Sequence, residues 1–184
     1  MKSGATGPSP DPSAPLQPAA ARNPGKVPLV DLASIDLTAV VADRAKIELV
    51  NPHRFEMALL DAIVWATPDL KQGIALWRVK KDEFWVRGHF PQKSMLPGVL
   101  QVEAAAQLSV WLFNSRFPAP KLIAFTRIHH ASFRGQVKPG DDFYLIADEI
   151  KAGERRFESN IQGIVEGKII FDGVIEGIAL GPAQ

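Results

Sequence analysis

The chain has 184 residues, enough for one domain with a complete hydrophobic core. Its 46 % hydrophobic and 22 % charged residues are typical of a globular protein, and a net charge of +1 does not favour nucleic acid as the main partner. The absence of cysteine excludes a disulfide framework, a thiol nucleophile and thiolate metal ligands. It also fits a reducing compartment, so we expect a cytoplasmic protein.

The apolar runs are too short for a membrane span. None reaches the roughly 18 residues that a bilayer requires. The N-terminus has no apolar stretch of the kind found in secretory signals. We therefore expect neither a membrane partner nor export.

Residues 1–28 differ in composition from the rest of the chain. They hold seven of the 15 prolines, among Ser, Ala and Gly, without a periodic apolar pattern. Such a segment buries too little surface to offset the entropy lost on ordering. We predict a flexible proline-rich tail over 1–28 and a single domain over 29–184.

The first part of the domain has a mixed pattern. Asp36 is a candidate N-cap for a short helix through Val41, and residues 47–50 are a candidate strand start. Residues 51–55 read as a turn, and residues 57–65 as a helical turn followed by a strand. Residues 74–79 predict a strand, with Ile74, Leu76 and Arg78 on one face and Ala75, Trp77 and Val79 on the other.

Residues 88–113, GHFPQKSMLPGVLQVEAAAQLSVWLF, contain the strongest helix signal, starting at Pro97. Apolar residues surround this helix, so it should be buried on all sides. Glu103 is its one ionisable residue, with Gln107 one turn later on the same face. A buried carboxylate needs a partner or a raised pKa, and His89 in the preceding Gly-His-Phe-Pro turn is the nearest candidate.

The last third of the chain predicts four strands separated by turn signals. They cover 121–128, 142–151, 155–165 and 168–180. Phe157, Ile161 and Val165 should lie on the face opposite Glu158, Asn160 and Gln162. The pattern indicates an α+β protein in which a curved antiparallel sheet of about six strands wraps one long helix. An exposed helix surface and strand edge favour dimerisation.

Four ordered motifs resemble the 3-hydroxyacyl-[acyl-carrier-protein] dehydratases of the hotdog fold. They are GHFP at 88–91, PGVLQVEAAAQ at 97–107, NPHRFEMALLD at 51–61 and ASFRGQVKPGDDF at 131–143. The spacing of fourteen between His89 and Glu103 matches the catalytic pair of that family. The resemblance runs from about residue 45 to the C-terminus. Glu rather than Asp at 103 is typical of relatives that dehydrate without isomerising the double bond.

The resemblance implies roles for the residues of the helix and the turn before it. His89 is the expected base, since imidazole is poised near neutral pH, and Glu103 would orient or protonate the leaving hydroxyl. We expect a raised pKa for a carboxyl in an apolar helix, which suits an acid. The backbone N–H groups of Gly98 and Val99 would polarise the thioester carbonyl, and Gln107 would hold the carboxylate. In this family His89 of one subunit meets Glu103 of the other, in a homodimer or a trimer of dimers.

Two further sets of residues are weaker expectations. Apolar side chains near the motif would form the acyl tunnel: Phe84, Met95, Leu96 and Trp111. Basic side chains would form a landing surface for the acidic acyl carrier protein: Arg78, Lys80, Lys81, Arg87 and Lys93. A core role for the first set and a solvated face for the second are the plain alternatives.

The remaining ionisable residues have structural interpretations. His53 is expected to cap or pack the turn at 51–55, and Asp61 to be a structural acid. His129 and His130 should point to opposite faces of a strand, which argues against a metal site. We expect neither metal nor cofactor.

The sequence departs from the family at three positions. Ser94 replaces a usual proline, Leu96 stands where Met is common, and Ala62 replaces an Arg after Asp61. The alternatives are therefore another hotdog enzyme, such as a thioesterase or a CoA hydratase, and a non-catalytic acyl-binding or scaffold protein.

Overall fold

The computed structural model describes Gly25 and residues 27–183. The predicted tail at 1–28 falls mostly outside this part of the chain. Within it, no helix is long and apolar enough to cross a bilayer.

The described chain forms one antiparallel sheet around one long helix. The elements are β1 (Ala42–Asp43), α1 (Arg44–Val50), β2 (Ala62–Ala66), β3 (Gln72–Arg78), α2 (Gly98–Asn114), β4 (Lys121–Phe133), β5 (Asp142–Ala152), β6 (Arg156–Val165) and β7 (Lys168–Pro182), with 3-10 helices at Leu32–Ser34 and Phe55–Met57. The strand order is β1-β2-β3-β5-β6-β7-β4, so β4 lies at one edge. This confirms the predicted α+β architecture, with the short β1 as an additional strand.

Two local predictions are wrong because polar side chains start different turns. The strand expected at 47–50 belongs to α1, whose first turn is capped when the Lys46 N–H donates to the Asp43 carboxylate. Asp36 starts no helix, since its carboxylate accepts from the backbone N–H and hydroxyl of Thr38. The nearby 3-10 helix is instead capped by Asp31.

Helix α2 is buried as its apolar surface predicts. From Gln101 to Asn114 every residue except Glu103 is buried. The helix packs against β3, β5 and β6, on the concave face of the sheet. Its first turn is the most accessible part, and Val99 there is 76 % exposed.

The chain's own N-terminal segment covers the opposite face of the sheet. Leu29 and Val30 are buried there against apolar residues of β2, β3, β5 and β6. The buried Gln162 accepts from the Leu29 N–H (2.8 Å), and its amide donates to the Val27 carbonyl (3.0 Å). The predicted alternation of β6 is therefore correct, but its polar face is buried too.

An aromatic layer connects the sheet to the first residue of α2. Ring centroids of Trp77 and Phe143 lie 6.5 Å apart, and those of Phe143 and Phe171 lie 6.1 Å apart. Phe171 continues to Phe133, also at 6.1 Å. A Cβ added to Gly98 would lie 2.9 Å from the Phe133 ring. The layer therefore sets the position of the α2 N-terminus.

This layer predicts a difference between two strand glycines. A Cβ at Gly163 would come within 2.4 Å of Phe171 and 2.5 Å of Phe143, whereas a Cβ at Gly181 would meet nothing within 4 Å. We expect Gly163→Ala to lower the free energy of unfolding by about 1–3 kcal/mol through overpacking. Gly181→Ala should change it by less than about 0.5 kcal/mol. Urea unfolding of both variants measures this, and equal effects would contradict the steric explanation.

Candidate active site

Glu103 lies on α2, in the second turn of the helix, and its carboxylate faces two donors. The Gln107 side-chain amide donates to Glu103 Oε1 at 2.9 Å, as the one-turn spacing predicted. His53 Nε2 lies 3.3 Å from the same oxygen. The Glu103 side chain is 23 % exposed, so the carboxylate sits in a crevice rather than in the core.

Gln107 fixes the segment that brings His53 to this place. Its Nε2 also donates to the Met57 carbonyl (2.8 Å), and its Oε1 accepts from the Leu59 N–H (3.2 Å). The Asn51 amide donates to the Gln107 backbone carbonyl at 2.8 Å. Three bonds thus tie residues 51–59 across α2 beside Glu103. We call this stretch the strap.

The pKa of Glu103 is lowered, which corrects the expected raised value. Burial is the largest influence and raises the pKa, as predicted for an apolar helix. Hydrogen bonds from His53 and Gln107, with the charge of His53, together lower it further than burial raises it. The sequence pattern showed the burial and the Gln107 donor but not the second donor, because His53 lies fifty residues upstream. Glu103 is therefore ionised at neutral pH.

We expected His53 to cap or pack the turn at 51–55, but its ring contacts α2 instead. The ring reaches Glu103 through Nε2, while Nδ1 is buried without a hydrogen-bond partner among the described residues. Two signals in the sequence pointed this way. Glu103 needed a partner, and His53 lies inside one of the four motifs. The sequence argument had assigned that partnership to His89.

His89 lies in the turn before α2 with its ring held in place. Its Nδ1 lies 2.8 Å from the Met95 carbonyl oxygen, and its ring stacks on Phe90 at 4.2 Å. A carbonyl only accepts, so Nδ1 carries a hydrogen, and in neutral imidazole Nε2 then presents its lone pair. Within the described chain no hydrogen bond or ion pair joins His89 to Glu103. The two residues do not form a pair inside one protomer.

The first turn of α2 offers backbone donors. Its N-cap residue is Pro97, which provides no side-chain cap. The first backbone bonds come from Leu100 and Gln101 to the Pro97 carbonyl, so the N–H groups of Gly98 and Val99 bind no acceptor in the described chain. Such donors suit an oxygen that gains negative charge.

Two residues that depart from the family pattern fit this loop. The Ser94 hydroxyl donates to the Val86 carbonyl at 2.9 Å. Leu96 is buried, and its N–H donates to the Val137 carbonyl at 2.8 Å. Both residues therefore stabilise the turn that carries His89.

The residues expected to line an acyl tunnel are dispersed. Leu96 and Trp111 belong to the main core, Met95 is half-buried, and Phe84 is 51 % exposed. A small cavity of about 110 Å³ instead opens beside Glu103. His53, Glu103 and Gln107 form its polar side. The rest of its lining is apolar: Ala106, Val110, Ile123 and Phe125. The sequence argument missed this crevice because its walls come from two distant elements.

All five residues of the expected carrier-protein surface are exposed, at the end of β3 and in the loop before α2. Asp61 lies beside them and has a structural role. Its carboxylate pairs with Arg44 at 2.8 Å and accepts from the Arg78 N–H at 2.7 Å.

The two adjacent histidines of β4 point to the same face, contrary to the expected alternation. His129 Nε2 lies 3.6 Å from Glu176 Oε2, and His130 Nε2 lies 3.6 Å from Asp172 Oδ1. Both carboxylates are on one face of β7. A register shift between Ile128 and His130 is the reason, because a bulge interrupts the alternation. Among the described residues no group of three or more His, Asp or Glu side chains has the arrangement of a metal site.

Comparisons with known proteins agree on fold and family. A family model described as the FabA-like domain matches residues 51–175. A Listeria monocytogenes protein named 3-hydroxyacyl-[acyl-carrier-protein] dehydratase FabZ is 31 % identical over 134 residues, covering 72 % of this chain and 92 % of its own. A Protochlamydia amoebophila protein of that name is 29 % identical over 139 residues, covering 74 % and 90 %.

Two solved structures with low sequence identity are similar to this chain in fold. The dehydratase heterocomplex ApeI:P from Xenorhabdus doucetiae has a TM-score of 0.62 at 15 % identity, covering 72 % of this chain and 90 % of its own. A hypothetical thioesterase with coenzyme A from Streptococcus pneumoniae has a TM-score of 0.52 at 9 % identity, covering 66 % and 87 %.

The strap predicts unequal roles for two buried glutamines of α2. Gln107→Met leaves the Met57 carbonyl and the Leu59 N–H without partners, so we expect a loss of about 2–4 kcal/mol in the free energy of unfolding. Gln101 is the matched control, because its Oε1 has no partner and its one contact, to the Leu96 carbonyl, is 3.5 Å long. Gln101→Met should cost less than about 1 kcal/mol. Denaturant unfolding of both variants checks this, and a larger cost at Gln101 would contradict it.

The lowered pKa of Glu103 predicts a loss of stability in acid. A carboxylate whose pKa falls on folding stabilises the protein above its unfolded value of 4.5, and this contribution disappears as pH drops through the folded value. Glu103→Gln removes that contribution. We therefore expect the stability difference between wild type and variant to shrink as the pH falls from neutrality to below 4.5. Urea unfolding across this range measures it, and a difference that stays constant or grows would show that the pKa is not lowered.

Proposed function

Since this chain belongs to the FabA-like family, we propose that it removes water from a 3-hydroxyacyl thioester of acyl carrier protein, giving the trans-2-enoyl thioester. The observation that carries the proposal is the orientation of His89. Its Nδ1 is engaged by the Met95 carbonyl, which leaves the Nε2 lone pair to take the α-proton. The activity is that of a hydro-lyase in fatty acid biosynthesis.

The proposed reaction needs a base, donors for the thioester oxygen and a proton for the leaving hydroxyl. His89 Nε2 removes the proton from the α-carbon, and the electron pair forms the new double bond as the β-hydroxyl leaves. The N–H groups of Gly98 and Val99 stabilise the negative charge that develops on the thioester oxygen. The leaving hydroxyl needs a proton to depart as water, and the imidazolium of His89 now holds one.

Glu103 is proposed to orient the β-hydroxyl as a carboxylate rather than to donate a proton of its own. Because its lowered pKa keeps it ionised at neutral pH, it accepts a hydrogen bond from the β-hydroxyl and orients that group. The proton from His89 then reaches the hydroxyl directly or through a water beside the carboxylate. One base thus serves both proton transfers, and no proton is gained or lost overall.

A homodimer would complete this site. His89 and Glu103 make no contact within a protomer, so we propose that His89 of one subunit faces Glu103 of the other. Edge strand β4 supports this, because Phe125, Ile128 and Phe133 on it are between 41 % and 52 % exposed. Antiparallel pairing of β4 with its copy would cover these side chains and satisfy its free edge. A trimer of such dimers is the further assembly we propose.

The exposed basic residues at 78–93 give a site for an acidic carrier protein. They lie between β3 and α2, next to the turn that holds His89. Opposite charge would guide the carrier to this surface and place its acyl group at the α2 N-terminus. With a soluble carrier as partner, the cytoplasm is the proposed location.

One observation favours a second candidate, an acyl thioesterase. An ionised carboxylate beside an apolar crevice is also suited to activate water for attack on the thioester carbonyl. This chemistry would need Glu103 but not His89. The two activities are therefore separated by the requirement for His89.

The test uses purified protein and a 3-hydroxybutyryl thioester of acyl carrier protein, with enoyl absorbance and free thiol followed together. We expect enoyl formation, reduced about 10²–10⁴-fold by His89→Ala and by Glu103→Gln. Thiol release that survives His89→Ala would instead establish the thioesterase. Binding of the acylated carrier without either product would indicate a non-catalytic acyl-binding protein.

A mixing experiment tests the shared site. A heterodimer of His89→Ala and Glu103→Gln subunits contains one site with both residues intact and one with neither. Random reassembly of the two inactive variants should restore about a quarter of wild-type activity. Sites built within single subunits would give no recovery.

A further inference from the structure

We propose that His53 is a positioning residue for Glu103, fixing the carboxylate so that Oε2 is the oxygen presented to the substrate. The inference rests on the proposed function and assigns a third side chain to its site. His53 belongs to the strap, not to the turn or helix that carry the reacting groups. Its effect would reach the substrate only through Glu103.

Both donors approach the same carboxylate oxygen. Gln107 Nε2 and His53 Nε2 lie 2.9 Å and 3.3 Å from Oε1. Among the described residues Oε2 has no hydrogen-bond partner. A carboxylate held at one oxygen from two directions cannot rotate about its last bond without breaking both contacts. Oε2 is thereby left free in a fixed direction.

The backbone of His53 is held as firmly as its ring. Arg54 Nη1 donates to the carbonyl oxygens of His53 (2.7 Å) and Asn51 (2.9 Å), and its Nη2 donates to the Glu48 carbonyl (2.9 Å). Asn51 in turn is bonded to the backbone of α2. The guanidinium therefore closes the turn around His53, and the imidazole has a defined position over the helix.

The surroundings of the ring show which nitrogen donates. Nε2 lies 3.3 Å from Glu103 Oε1, and an ionised carboxylate only accepts, so Nε2 carries a hydrogen that it donates. Nδ1 is buried without a hydrogen-bond partner among the described residues. The ring therefore acts on Glu103 through Nε2, as a hydrogen-bond donor.

Among the described residues that line the cavity beside Glu103, His53 is the only other titratable group. The remaining lining consists of Gln107 and four apolar residues from α2 and β4. In the proposed dimer, His89 of the partner subunit would be the next ionisable group to face the carboxylate. A change in the titration of Glu103 after substitution of His53 can therefore be assigned to the loss of this contact.

The test titrates Glu103 in the intact protein with ¹³C-labelled glutamate, its resonance assigned by loss of the signal in Glu103→Gln. Three variants are compared with wild type. His53→Leu removes the donor, and His53→Gln replaces it with an amide N–H at the same reach. His130→Leu removes a histidine that contacts a different carboxylate, Asp172.

We expect His53→Leu to shift the Glu103 pKa upward, because burial remains while one donor is lost. His53→Gln should retain most of the wild-type value, and His130→Leu should not change it. In the enoyl assay, His53→Leu should lower kcat about tenfold or more with KM nearly unchanged, since a misplaced group slows the chemical step. His53→Gln should recover most of that loss.

The outcomes separate this inference from the proposed function. An unshifted Glu103 pKa in His53→Leu would overturn the role of His53, whatever the activity. Equal damage from the Gln and Leu variants would also overturn it, because a donor at the right reach would then not suffice. Wild-type protein without enoyl formation would overturn the dehydratase, while the titration would still decide whether His53 holds Glu103.

Discussion

The structure depends on placing an ionised carboxylate on a helix that is otherwise buried. A buried charge without partners is unfavourable by several kcal/mol, so an apolar helix with one Glu is stable only if donors are built around it. The helix supplies one donor, Gln107, and the strap supplies the other, His53, from fifty residues earlier. Because Gln107 also bonds Met57 and Leu59, the same side chain that stabilises the charge attaches the strap. Fold stability and site geometry are therefore coupled at one residue.

The sheet positions the other end of the helix. The aromatic layer from Trp77 to Phe133 presses against Gly98, where a side chain has no room. This leaves the first backbone N–H groups of α2 accessible at a defined place. The outer face of the same sheet is closed by Leu29 and Val30. With both faces covered, edge strand β4 and the first turn of α2 still expose apolar side chains, and in the proposed dimer a second subunit would cover them.

The sequence predicted what depends on local pattern. The helix beginning at Pro97, the alternation of β3 and β6, and the Gln107 contact follow from periodicity and one-turn spacing. It did not predict what depends on distant contacts. The lowered pKa of Glu103 needs His53, the common face of His129 and His130 needs a bulge, and the burial of Gln162 needs the N-terminal segment. The strand prediction at 47–50 was wrong for a local reason. A short, mainly apolar run fits either a strand or a helix, and the Asp43 cap that decides for a helix was not recognised.

The ionised state of Glu103 constrains the order of proton transfers. A carboxylate stabilised by two donors is a poor resting acid, since protonating it weakens both contacts. In the proposed reaction, the hydrogen that leaves with the hydroxyl would then be the one that His89 had removed from the α-carbon. That route requires His89 Nε2 to face both the α-carbon and the hydroxyl, on the same side of the substrate. The Met95 contact at Nδ1 favours the tautomer of His89 that this route needs, and the His53 contact holds the Glu103 carboxylate. In the proposed mechanism, each of the two side chains would therefore be oriented by a contact on the side away from the substrate.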